Sequence, residues 1–96
     1  MDIDAALKEK RDAILRITTR YGAHDVRVFG SVARGEADPT SDVDFLVRLE
    51  PGVTLLTHAA MVRELEELLG RKVDVVSERG LRSRIRDRIL REAVTV

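Results

Sequence analysis

Apolar residues recur along this chain in two periods. Over residues 3–21, Ile3, Leu7, Ile14, Ile17 and Tyr21 return at three-, four- and seven-residue steps, the spacing of one helix face. Asp2 is placed to cap the start of this helix and Gly22 to end it. A short β-rich run, Val26 to Phe29, follows and stops at Gly30-Ser31. Val32 to Arg34 fits the start of a helical turn, and residues 35–41, with Pro39, read as a loop. Over residues 43–49 the period falls to two. Val43, Phe45, Val47 and Leu49 alternate with Asp44, Leu46 and Arg48, which predicts a strand with one apolar and one mixed face.

Pro51-Gly52 ends that strand. Residues 54–69 return to helical spacing, with Leu56, Ala60, Leu65, Leu68 and Leu69 inward and Gly70 as the stop. Lys72 to Val76 reads as a third strand, and residues 81–92 as a last helix carrying Leu81, Ile85 and Ile89 on one stripe. The order helix, strand, strand, helix, strand, helix predicts an α/β (α+β) domain over residues 1–96, a small mixed β-sheet flanked by helices. No repeat, linker or low-complexity segment interrupts it.

Composition narrows the function classes. At 96 residues the core is thin, and domains of this size often lean on a partner. Aromatics are 3%, namely Tyr21, Phe29 and Phe45, too few for the stacking platforms of a single-strand nucleic-acid binder. Seventeen basic and seventeen acidic residues cancel, which argues against general nucleic-acid binding. The charge is nevertheless uneven: from Arg79 onward six arginines face only Asp87 and Glu92. The absence of cysteine excludes disulfides, thiolate metal sites and cysteine nucleophiles. No apolar run approaches a membrane span and none resembles a signal peptide, so the expected location is the cytoplasm.

Three features carry candidate chemistry. Residues two apart on a strand project from one face, so Asp42 and Asp44 point to one place while Val43 enters the core. Two carboxylates so placed repel unless a cation lies between them or one holds a proton. An all-oxygen site suits Mg²⁺, which binds through a few carboxylates and substrate phosphates; a solvated strand start would carry the same residues. Gly30-Ser31 is the second feature. Glycine lets a backbone approach phosphate closely, and serine adds a hydroxyl and an N–H; an ordinary turn would look alike. The third is Asp74, an acid among valines in Lys72-Val73-Asp74-Val75-Val76. It would complete a three-carboxylate site if its strand neighbours that of Asp44, or serve as an edge charge that blunts pairing.

The spacing joins these features. Gly30-Ser31, ten residues, then Asp42-x-Asp44 matches the G-S-x10-D-x-D signature of the minimal nucleotidyltransferases of the polymerase-β-like superfamily. With each fixed residue at about one in fifteen, chance supplies this pattern roughly once in several hundred chains of this length. The flanks Gly30-Ser31-Val32-Ala33-Arg34-Gly35 and Ser41-Asp42-Val43-Asp44-Phe45 look like the same family, and Asp74 falls where such proteins carry the third carboxylate. The chain thus resembles a polymerase-β-like palm along essentially its whole length.

That resemblance implies two Mg²⁺ ions held by the aspartates and a nucleoside triphosphate, ATP. Asp42 and Asp44 would bridge both metals, and Asp74 would bind the metal at the attacking group and help deprotonate it. Gly30 and Ser31 would hold the β- and γ-phosphates, with Arg34 as a further phosphate contact or a plain surface arginine. Larger relatives carry extra domains for the acceptor, and nothing here is left over for one. The chain is similar to the stand-alone MntA-type antitoxins, which work with a HEPN-family ribonuclease toxin. The resemblance implies transfer of AMP to a tyrosine hydroxyl of that toxin, with release of pyrophosphate. The alternatives are neutralisation of the partner by binding alone, and transfer to a small molecule or an RNA end. The final helix, Arg82 to Arg91, would be a docking or nucleotide-facing surface, or simply a solvated face. His24 and His58 fit no part of the signature and are expected to be structural or surface residues.

Overall fold

The computed structural model describes residues 3–96. The expected cap at Asp2 lies outside them. The first helix is two: α1, Ile3–Glu9, and α2, Arg11–Arg20, with a kink at Lys10. The hydrogen bonds run across the kink, from Lys10 N–H to the Ala6 carbonyl and from Ile14 N–H to the Lys10 carbonyl. The Lys10 ammonium leaves the helix to donate to the Leu68 carbonyl at 2.8 Å, near the C-terminal, electronegative end of another helix. Apolar spacing is blind to such a tether, and Ile3, Leu7 and Ile14 are buried on either side of it.

Strand β1, Ala23–Phe29, starts three residues earlier than the apolar run suggests. Its register slips between His24 and Arg27, where Asp25 takes a left-handed φ of 52°. Strand β2, Val43–Leu49, occupies the alternating segment. Val43, Phe45 and Val47 are fully buried on its inner face. Leu46, on the other face, is also sealed from solvent, although it stands outside the main core cluster.

Helix α3, Leu55–Leu69, is capped by Thr54, whose hydroxyl accepts the Thr57 N–H at 3.1 Å. It buries Met61 and Leu65, but Leu56, expected inward, is 84% exposed. Leu56 lies in the first turn, beyond the reach of the sheet, so its periodic position has nothing to pack on. The Tyr21 hydroxyl and the Arg20 guanidinium both reach Glu64 and lock α2 to α3. Strand β3, Val73–Ser77, follows, and Glu66 accepts the Val73 N–H at its start.

A short 3-10 turn leads to α4, Ser83–Glu92, which has no buried residue; Ile85 of its expected apolar stripe is 46% exposed. A two-residue strand, β4, Val94–Thr95, closes the chain against β1 and was not signalled by the sequence pattern. The sheet order is β3-β2-β1-β4, with β2 and β3 parallel and the other pairs antiparallel. This mixed four-stranded sheet with helices is the expected α+β architecture. Among the described residues no helix is long and apolar enough to cross a membrane.

Candidate active site

The parallel register puts Asp44 directly beside Asp74, and the antiparallel one puts Phe29 beside Asp44. Strand alternation then decides the side. Val43 and Val73 are buried, so Asp44 and Asp74 share the opposite face of the sheet. Asp42 stands one residue before β2, exposed, and the Val43 N–H already bonds to the Lys72 carbonyl. All three aspartates therefore lie at the same end of two neighbouring strands.

The loop before Asp42 is held locally. The Asp38 carboxylate accepts the Thr40 N–H at 2.8 Å and its hydroxyl at 2.7 Å, and Ser41 Oγ accepts the Asp38 N–H at 2.9 Å. The bonds donated by Thr40, and a weaker one from the Ser41 hydroxyl to Asp38 Oδ1 at 3.3 Å, hold the Asp38 carboxyl below the usual carboxylate range. Arg71 donates to the carbonyls of Asp38 and Ser41 at 2.9 and 3.2 Å. It ties the loop to the start of β3 and so fixes where Asp42 emerges.

Gly30 closes the site from the β1 side. Its φ of 76° is left-handed, and a Cβ there would run into the Asp44 carboxylate, whose Cγ would lie 3.3 Å away. Both demands exclude every side chain. Residues 31–35 form one tight turn rather than the opening of a helix: Arg34 N–H bonds to the Gly30 carbonyl, and Glu36 N–H to that of Ser31. Gly35, with φ of 73°, ends the turn before a second one forms. Ser31 is half-buried in this turn, next to Gly30.

Burial, and then the neighbouring Asp74 and Asp42 charges, push the Asp44 carboxyl above its ordinary range, against a smaller pull from Arg34. Arg34 thus stands close to the acids, but its guanidinium is engaged with Glu36 at 3.2 Å and Glu92 at 2.7 Å. Glu92 is the neighbour that sequence reasoning missed. It comes from the last turn of α4, 58 residues beyond Arg34, and no spacing links the two.

A cluster of carboxylates only partly compensated by Arg34 is what a cation would relieve. Among the described residues no three His, Cys, Asp or Glu side chains already stand close enough to hold a metal. The donor set still fits a hard divalent cation: it is all oxygen, and the exposed Asp42 and Asp74 side chains are free to turn toward Asp44. His58 lies elsewhere, its Nε2 2.8 Å from the Val75 carbonyl, and His24 is an exposed partner of Glu50.

The chain is similar to known proteins along most of its length. A protein of Methanocaldococcus jannaschii, provisionally named a protein adenylyltransferase, is 40% identical over 94% of this chain and 97% of its own. The protein adenylyltransferase MntA of Thermococcus cleftensis is 46% identical over 80% of this chain and 78% of its own. A solved structure described as a provisionally assigned minimal nucleotidyltransferase is 54% identical, covers all of this chain and 97% of that one, and superposes with a TM-score of 0.88. A chain of a toxin–antitoxin solved with AMP-PNP shares the fold at 17% identity and a TM-score of 0.76, over 88% of this chain and 69% of that one. The nucleotidyltransferase domain family matches residues 8–96. With that match spanning α2 to β4, the chain belongs to the nucleotidyltransferase domain family.

Proposed function

We propose that this chain transfers AMP from ATP to a tyrosine hydroxyl of a HEPN-family ribonuclease toxin, silencing it and releasing pyrophosphate. The observation that carries the reading is the cluster itself: Asp44, its proton affinity raised by burial and then by Asp74 and Asp42, packed against a glycine that admits no side chain. A cluster of like charges costs stability and is retained where a cationic ligand repays it. The adenylyl donor and protein acceptor follow from relatives named protein adenylyltransferases. The toxin partner is supported by the MntA name of one relative together with toxin–antitoxin structures of this fold, one of them called MntA-HpeT.

In this reading Asp42, Asp44 and Asp74 would hold Mg²⁺, which would supply charge to neutralise the triphosphate and stabilise the oxygens entering and leaving at phosphorus. The Gly30-Ser31 backbone and hydroxyl hold the β- and γ-phosphates and orient the chain of phosphates for in-line attack. The tyrosine oxygen bonds to the α-phosphorus as the bond to the bridging oxygen breaks. Asp74, exposed at the strand edge, accepts the phenolic proton. Arg34 turns from Glu92 to the phosphates.

The test is transfer of label in the presence of Mg²⁺ and the toxin. ³²P from the α-phosphate should appear on the toxin and ³²P from the γ-phosphate should not. Asp42→Ala, Asp44→Ala and Asp74→Ala should each abolish it. Neutralisation by those three variants without any label would instead establish inhibition by binding alone.

A further inference from the structure

Helix α4 is held to the rest of the molecule by its ends. Glu92 pairs with Arg34 at 2.7 Å, and Arg86 pairs at 3.6 Å with Glu78, which also takes Arg27 at 2.9 Å. These contacts turn Arg86 and Glu92 inward. Arg84, Arg88 and Arg91, at i, i+4 and i+7, then share the opposite, outward face. All three are exposed, and among the described residues no guanidinium of the three makes a side-chain hydrogen bond or ion pair. Arg82 precedes the helix, equally exposed and unpaired. Arg48 and Arg79 line a cleft of about 240 Å³ with Ser77, Glu78 and Arg86 at the far end of β2 and β3. Arg48 lies four residues along β2 from Asp44, and strand alternation puts it on the same face.

The Glu92–Arg34 pair brings the last turn of α4 up to Asp44, so a chain of zero net charge carries a helix of exposed arginines beside the face that bears its aspartates. Like charges at i and i+4 destabilise a helix. The exposed Asp87, three residues after Arg84 and four before Arg91, offsets part of this, and the face stays net positive with no buried residue in α4 to anchor it. The natural counterpart is a surface of opposite sign. We propose that the outward arginine face of α4, continued by Arg48 and Arg79, docks an acidic segment of the protein acceptor beside the aspartate cluster. The inference rests on the proposed protein acceptor and adds the chemistry of the segment around its hydroxyl. A polypeptide fits better than RNA because the surface offers no aromatic side chain for bases to stack on; Tyr21, Phe29 and Phe45 are all elsewhere.

The probe is a fluorescent glutamate–tyrosine copolymer, with a lysine–tyrosine copolymer for comparison, and binding is read by polarisation without nucleotide. Arg84→Ala/Arg88→Ala should weaken glutamate–tyrosine binding by about five-fold, as two partly screened ion pairs predict. The charge-matched control Arg16→Ala/Arg63→Ala, on α2 and α3, should leave it within about two-fold. With ATP and Mg²⁺, the double variant on α4 should raise the KM for the copolymer and leave the KM for ATP unchanged. Equal losses in both double variants, an altered KM for ATP instead, or displacement of the copolymer by a lower concentration of single-stranded RNA would overturn the proposal. Copolymer that binds through α4 while no label from the α-phosphate reaches either the copolymer or the toxin would leave docking standing and refute the transfer reading.

Discussion

At the scale of single residues, Gly30 and Asp44 are read together. A left-handed φ costs an L-residue on the order of 1–2 kcal/mol, and the carboxylate beside Gly30 adds a direct collision. Gly30→Ala should therefore lower stability by at least about that amount in denaturant titration and abolish nucleotide binding. Asp44→Asn should behave differently. The folded state raises the Asp44 pKa, so it binds the proton more tightly than the unfolded chain does. Its ionisation thus costs stability above the folded pKa, and the cost fades as pH falls through that pKa toward the unfolded value. Asp44→Asn should accordingly raise Tm at neutral pH in the absence of divalent cation, with the difference shrinking in acid. A lower Tm for this variant at neutral pH would show that the carboxylate is not under repulsion. The aspartates were legible in the sequence because strand periodicity assigns their face and a fixed spacing ties them to Gly30. Glu92 was not, because its place beside Arg34 depends on how α4 swings back across the molecule.

At the scale of elements, the unit that builds the site is β2–α3–β3. Its parallel return sets Asp74 against Asp44, and its anchor is α3. Here His58 closes onto the Val75 carbonyl and Met61 and Leu65 fill the core. His58→Ala should cost about 0.5–1.5 kcal/mol, the ordinary worth of one hydrogen bond, in denaturant titration without changing nucleotide affinity. Arg71→Ala releases the loop that presents Asp42 and should lower turnover while Tm moves little. By contrast α4 rests on two ion pairs and the two-residue pairing of β4. Its amides should exchange with deuterium well before those of β2, and faster still in Glu92→Ala. Strand β2 was legible because alternation over seven residues has one reading. The kink at Lys10, the exposure of Leu56 and the two-residue β4 were not. Each is decided by a tertiary partner, or by the lack of one, rather than by local period.

At the scale of the whole molecule, the thin core and the segregated charge point the same way. Core residues such as Phe45, fully buried in β2, carry much of the stability, and Phe45→Ala should cost roughly 3–5 kcal/mol. For a domain of 96 residues that is a large share of a total near 5–15 kcal/mol, enough to unfold much of the population on mild heating. The opposite faces of the sheet thus divide the labour. One holds the fold, and the other concentrates charge, part of it paired internally, that the proposed cation, nucleotide and acceptor would balance.

The measurement that tests this division most directly is calorimetric titration of Mn²⁺ with a non-hydrolysable ATP analogue into the purified chain, which needs no acceptor. Binding should require both ligands together and should be lost in Asp44→Asn and in Asp74→Asn. The Arg84→Ala/Arg88→Ala variant should bind as the parent does. Nucleotide binding of undiminished affinity in the aspartate variants, or binding independent of the divalent cation, would contradict the assignment of the Asp42–Asp44–Asp74 cluster as the nucleotidyl-transfer site.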